Sequence, residues 1–175
     1  MVSITLMILF PYSIVLLISS LLQPTLMEVF FHNNILIGLF FICILGLVSF
    51  GSAIFISIKN FQNSPLKAAK QNMIIKLFQV PAYLFIFVVG LACMVTIFSM
   101  GISFFLIAFD GISIFLSGLV GISAVKCNYT NGILSKKELL FYGVLQFIFC
   151  VDVICAIFLW KKAVNSFSNK EKKEG

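Results

Sequence analysis

The residues with the clearest chemical potential in this sequence are two aspartates, Asp110 and Asp152, which lie inside long apolar runs. An ionised carboxylate in a hydrocarbon environment is costly, so an acid at such a position is a candidate functional group. Three arrangements would remove the cost: protonation of each acid, one proton shared by both, or neutralisation by a bound cation. The last two would make the acids a proton or cation site.

The residues that follow Asp110 predict a helix that packs against protein. Helical spacing places small and polar residues on one face and large apolar residues on the other. Small residues four positions apart allow a second helix backbone to approach closely. We therefore predict that Ser113, Ser117 and Gly121 are helix-packing positions. The whole stripe consists of Asp110, Ser113, Ser117, Gly121 and Ala124.

A candidate proton or cation site is predicted from Asp110 and Asp152, with the hydroxyl groups of Ser113 and Thr96 as further ligands. The predicted spans place both acids roughly 10 to 12 Å below the same membrane surface. These spans contain no Lys, Arg or His that would pair with an acid. The alternative is that each aspartate is neutral and bonds a neighbouring helix as a packing group. The sequence leaves both hypotheses open.

The composition predicts an all-α integral membrane protein. Of its 175 residues, 61% are hydrophobic and 10% are charged, which is too apolar for a soluble domain. The net charge of +6 comes from lysines between and after the apolar runs, a pattern typical of lipid anchoring and not of nucleic-acid binding. Five cysteines and one histidine without metal-ligand spacing predict no disulfide framework, metal or cofactor. We expect a multi-pass protein of a bacterial cell membrane.

The apolar runs predict a bundle of about five transmembrane helices with a short interfacial helix. The interfacial helix is expected within residues 59–78, with Ser64 and Pro65 at its start. Pro11 is expected to kink the first span. Residues 1–162 would form the bundle, and residues 163–175 a polar, disordered tail. The predicted spans are residues 1–22, 35–58, 81–100, 103–125 and 139–160.

The lysines also predict an orientation. With residues 59–78 and 126–138 in the cytoplasm, the positive-inside rule places the N-terminus inside and, after five crossings, the C-terminus outside. No catalytic or phosphate-binding motif is present, so we expect no enzymatic activity. The first functional hypothesis is an accessory, interaction or immunity-type protein whose partners are the lipid bilayer and another membrane protein or a second copy. The alternative is a proton- or cation-coupled carrier or channel that uses Asp110 and Asp152.

Overall fold

The computed structural model describes residues 2–95 and 99–174, with side chains as far as residue 168. The regular secondary structure of these residues is helical, without strands, which confirms the predicted all-α class. The described helices are α1 (Val2–Leu22), α2 (Pro24–Phe31), α3 (Ile35–Asn60), α4 (Pro65–Met94), α5 (Met100–Thr130), α6 (Lys136–Leu145) and α7 (Val151–Glu174).

Four of these helices, α1, α3, α4 and α5, are long and apolar enough to cross a membrane. The predicted fifth span, residues 139–160, is not one helix, because α6 ends at Leu145 and α7 begins at Val151. Between them Cys150 has a φ of 63°, a left-handed conformation that an α-helix cannot accommodate. Beyond residue 162, α7 continues to Glu174, and Ala163 is fully buried; the division into a bundle and a tail stays a prediction.

The predicted interfacial helix is the first part of α4. Pro65 begins this helix directly after Ser64, as predicted, but the helix then continues through Pro81 to Met94. A proline inside an apolar helix is tolerated where neighbouring groups satisfy the freed backbone. The prediction of a separate short helix was therefore wrong, and Lys76 lies inside one of the four long apolar helices.

The chain divides into two compact units, of which unit 1 comprises Met1–Ser52 and Gln79–Ser113. Its helix α1 contains Pro11, which has no N–H to donate to the carbonyl of Met7 four residues earlier. The side-chain amide of Gln79 on α4 donates to that carbonyl instead, at 2.9 Å. The Tyr83 hydroxyl donates to the other end of the same amide, at 2.7 Å. A break in the α1 hydrogen-bond ladder is thus satisfied by a helix packed beside it.

Unit 2 comprises Ala53–Phe78 and Ile114–Gly175, and in it α6 and α7 form an antiparallel helical hairpin. The open end of this α6–α7 hairpin packs on α4 and α5, because Leu134 and Leu159 share one buried cluster with Ala68. Its tip is the non-helical stretch between Leu145 and Val151. The cluster consists of Ala68, Ala69, Ala124, Val125, Cys127, Leu134, Leu159 and Ala163.

All twelve lysines of the sequence fall within the residue ranges of unit 2. The α3–α4 and α5–α6 connections lie side by side in this unit, since Lys126 places its ammonium group 5.1 Å from the centre of the Phe61 ring. The Cys127 thiol also reaches the carbonyl of Asn63. We call the part of unit 2 formed by these two connections and the open end of the hairpin the lysine-rich end.

Candidate functional site

A buried ion pair joins the tip of the α6–α7 hairpin to α4. The Lys76 ammonium on α4 donates to Oδ2 of Asp152 on α7 at 2.7 Å, and the two side chains are 0% and 2% exposed. The same ammonium donates to the backbone carbonyl of Gln146 at 3.2 Å. The expectation that no basic residue within the apolar spans pairs with an acid was therefore wrong.

The break between α6 and α7 positions Asp152 for this contact. Asp152 lies in the first turn of α7, where its Oδ1 accepts a hydrogen bond from the Val153 amide at 2.9 Å. Unpaired amides give the first turn of a helix a partial positive charge, which favours a carboxylate there. The carboxylate thus has one oxygen toward α7 and the other toward Lys76. The pair joins the hairpin tip to α4.

Two glycines of α5 allow the tip to approach this helix closely. A Cβ added at Gly121 would collide with the side chain of Gln146, and one at Gly118 would lie 2.6 Å from the Phe147 ring. Gln146, which is fully buried, also accepts a hydrogen bond from the Asn72 amide at 3.4 Å. Gly121 therefore lies at a close-packing position, with the hairpin tip as its neighbour.

The remaining residues of the predicted stripe are also buried. Ser117 is 0% exposed and donates to the carbonyl of Ile114 at 3.1 Å. Ser113 is 0% exposed as well, and its hydroxyl has no hydrogen-bond partner in the part of the chain that the structure describes. The opposite face of α5 exposes Phe104 and Phe115.

Asp110 lies in unit 1 and Asp152 in unit 2. Asp110 is half-buried and lines a cavity of about 150 Å³, together with Ser103 and apolar side chains of α4 and α5. Thr96, the fourth residue of the predicted proton or cation site, lies outside the described residues. The site as a whole stays a prediction, but the charge of Asp152 is already met by Lys76.

A second ion pair joins the two helices of the hairpin near its open end. Ser135 and Glu138 form a capping box at the start of α6, and Lys162 on α7 donates to the Glu138 carboxylate. The bond from Lys162, followed by the one from the Ser135 backbone amide, lowers the pKa of Glu138 to about 2. Both side chains are about one third exposed, so solvent weakens this contact.

The arrangement at the tip is suited to holding charge and polar backbone away from an apolar environment. Within residues 2–95 and 99–168, no three His, Cys, Asp or Glu side chains are grouped as metal ligands. The sequence interpretation missed Lys76, Asn72 and Gln146, which make the site together with Asp152. The available signal was that Asn72, Lys76 and Gln79 recur at helical spacing beside the apolar residues of α4.

Comparison with known proteins shows which family the chain belongs to. No curated protein matches this chain, and no solved structure matches it either. One family model matches residues 1–165, which is nearly the whole sequence and includes both ion pairs. The chain therefore belongs to DUF6652, a family of unknown function.

Proposed function

We propose that this protein is an integral multi-pass protein of a bacterial cell membrane that acts without enzymatic activity, as an accessory, interaction or immunity-type protein. In this proposal α1, α3, α4 and α5 cross the bilayer, and the α6–α7 hairpin enters and leaves it on one side. The four long apolar helices support the crossings. Large apolar side chains exposed along them, such as Phe40 and Phe105, support contact with lipid or with another membrane protein.

The lengths of the hairpin helices support a re-entrant segment. The ten residues of α6 extend about 15 Å, half of a hydrocarbon core of roughly 30 Å. The apolar part of α7, which ends near Trp160, is equally short. Neither helix spans a bilayer alone, and their antiparallel arrangement returns the chain to the surface where it entered.

The lysines support an orientation for this topology. With four crossings, the α3–α4 connection, the α5–α6 connection and the C-terminal end of α7 all lie on the same side. The connections on the other side, residues 23–34 and 95–99, contain no lysine. The positive-inside rule then places the lysine-rich end in the cytoplasm, with both termini inside.

The observation that carries the interaction proposal is a set of outward-facing glycines. A Cβ added at Gly51 on α3 or at Gly111 on α5 would meet no other atom within 4 Å. Glycine in a helix interior costs about 1 kcal/mol relative to alanine, and at these positions no internal contact explains it. Small residues on an outer face allow another transmembrane helix to approach closely.

The test is purification of the tagged protein from its native membrane in lipid nanodiscs. We expect a membrane protein, either another species or a second copy, in fixed stoichiometry with the wild type. Gly111→Leu and Gly51→Leu should release this partner without changing the thermal stability of the protein itself. Asp110→Asn, which leaves the outer face unchanged, is the control and should retain the partner. A partner that stays bound to both leucine variants would contradict the proposed surface.

A proton- or cation-coupled carrier is the second candidate, because Asp110 lines a cavity beside Ser103. It requires that the purified protein, alone in liposomes, conducts protons or sodium. Asp110→Asn would then abolish the flux. Such a result would replace the interaction proposal.

A further inference from the structure

Four side-chain amides of unit 2 that are fully buried each have one end without a hydrogen-bond partner among the described residues. They are the oxygens of Asn60, Asn72 and Asn128 and the nitrogen of Gln146, and all four side chains are 0% exposed. We call these four residues the amide cluster. Buried polar groups in folded proteins are nearly always satisfied, by protein or by ordered water.

The first half of the amide cluster adjoins the lysine-rich end. Asn128 near the end of α5 donates to the carbonyl of Pro65, the first residue of α4, at 3.2 Å. Asn60, the last residue of α3, donates to the hydroxyl of Ser123 at 2.8 Å. These two amides are therefore next to the connection that joins α3 to α4.

The second half of the cluster leads from there to the ion pair. Asn72 lies two turns beyond Pro65 on α4 and donates to Gln146, whose side chain covers Gly121 of α5. The backbone carbonyl of the same Gln146 accepts a hydrogen bond from Lys76. Gly121 and Asn128 are about 10 Å apart along α5, so all four amides lie beside one two-turn stretch of this helix.

We propose that the amide cluster binds internal water, and that this water connects the Lys76–Asp152 pair to the aqueous phase at the lysine-rich end. A water molecule donates to the amide oxygens and accepts from the Gln146 nitrogen, so one ligand chemistry satisfies all four free ends. Lys76 has three N–H donors, of which the protein uses one for Asp152 and one for Gln146. The third is available to the last water. The ion pair then exchanges protons with the aqueous phase at the lysine-rich end, which is the cytoplasmic side if the proposed function and its orientation hold, and not with the opposite side.

The first test needs no substitution. In water-edited solid-state NMR of the ¹⁵N-labelled protein in bilayers, the side-chain amide of Gln146 should receive water magnetisation several-fold faster than that of Gln79. Gln79 is the matched control, since it is equally buried but both ends of its amide are bonded within the protein. Equal build-up at the two glutamines would overturn the proposal.

The second test measures access to the ion pair. In Lys76→Gln the Asp152 carboxyl is released, and a membrane-impermeant carbodiimide should label it in vesicles that expose the lysine-rich end. Vesicles of the opposite orientation should show no labelling. Labelling from the opposite side only, or labelling by a lipid-soluble carbodiimide alone, would contradict the proposed route. If this variant does not fold, the NMR comparison on the wild type decides alone.

Discussion

The buried ion pair makes a quantitative prediction about stability. Lys76→Met leaves the Asp152 carboxylate without its positive counter-charge. Asp152→Leu leaves the Lys76 ammonium without its negative counter-charge. Because both side chains are almost completely buried, each single change should cost about 3 to 5 kcal/mol of unfolding free energy. The double variant removes both charges and leaves the Gln146 carbonyl and the Val153 amide unpaired, at about 1 to 3 kcal/mol each. The middle of each range gives a coupling of about 4 kcal/mol between the two positions.

The assay is a double-mutant cycle measured by reversible unfolding in bicelles. The matched control is the same cycle on Glu138 and Lys162, which join the same two helices but are about one third exposed. For that pair we expect a coupling below about 1 kcal/mol. A coupling at Lys76 and Asp152 as small as that of the control would refute the reasoning.

Three further predictions follow from the hairpin. Gly121→Ala should destabilise the protein by about 1 to 3 kcal/mol because its Cβ collides with Gln146, whereas Gly111→Ala should be neutral or stabilising; thermal melts of the two variants test this difference. The lowered pKa of Glu138 means that its pair with Lys162 contributes fully above about pH 4.5 and is lost as the pH falls toward 2. Stability should therefore drop by at most about 1 kcal/mol over this range, and by less in Glu138→Gln, as measured by unfolding at each pH. A fluorescent-protein fusion after the last residue should be fluorescent and an alkaline-phosphatase fusion inactive, whereas five crossings would give the reverse.

Local patterns indicated one buried helix face and one helix start. The spacing of three and four residues after Asp110 indicated an inward face, and Ser113, Ser117 and Gly121 are buried in the structure. Ser64 and Pro65 indicated the start of α4. These features depend on neighbours within a few residues, so a single sequence contains the information.

The hairpin could not be predicted in this way, because its break depends on distant residues. The contact between Lys76 and Gln146 joins positions 70 apart, and Gly121 leaves the space that the Gln146 side chain fills. Pro81 added a second error, since it was interpreted as the start of a span although α4 continues through it. That boundary excluded Lys76 from the apolar segments and made Asp152 look unpaired.

The ion pair also bears on how an acid inside an apolar bundle should be interpreted. A lysine in α4, an aspartate in α7 and an unpaired carbonyl at the end of α6 would each be costly alone. In the structure one ammonium group satisfies both of the others, so each charge has a structural reason to be present. Asp152 therefore does not need a transported ion to explain it. The evidence for transport then depends on Asp110 and its cavity alone, which is why substitution of Asp110, and not of Asp152, distinguishes a carrier from an interaction protein.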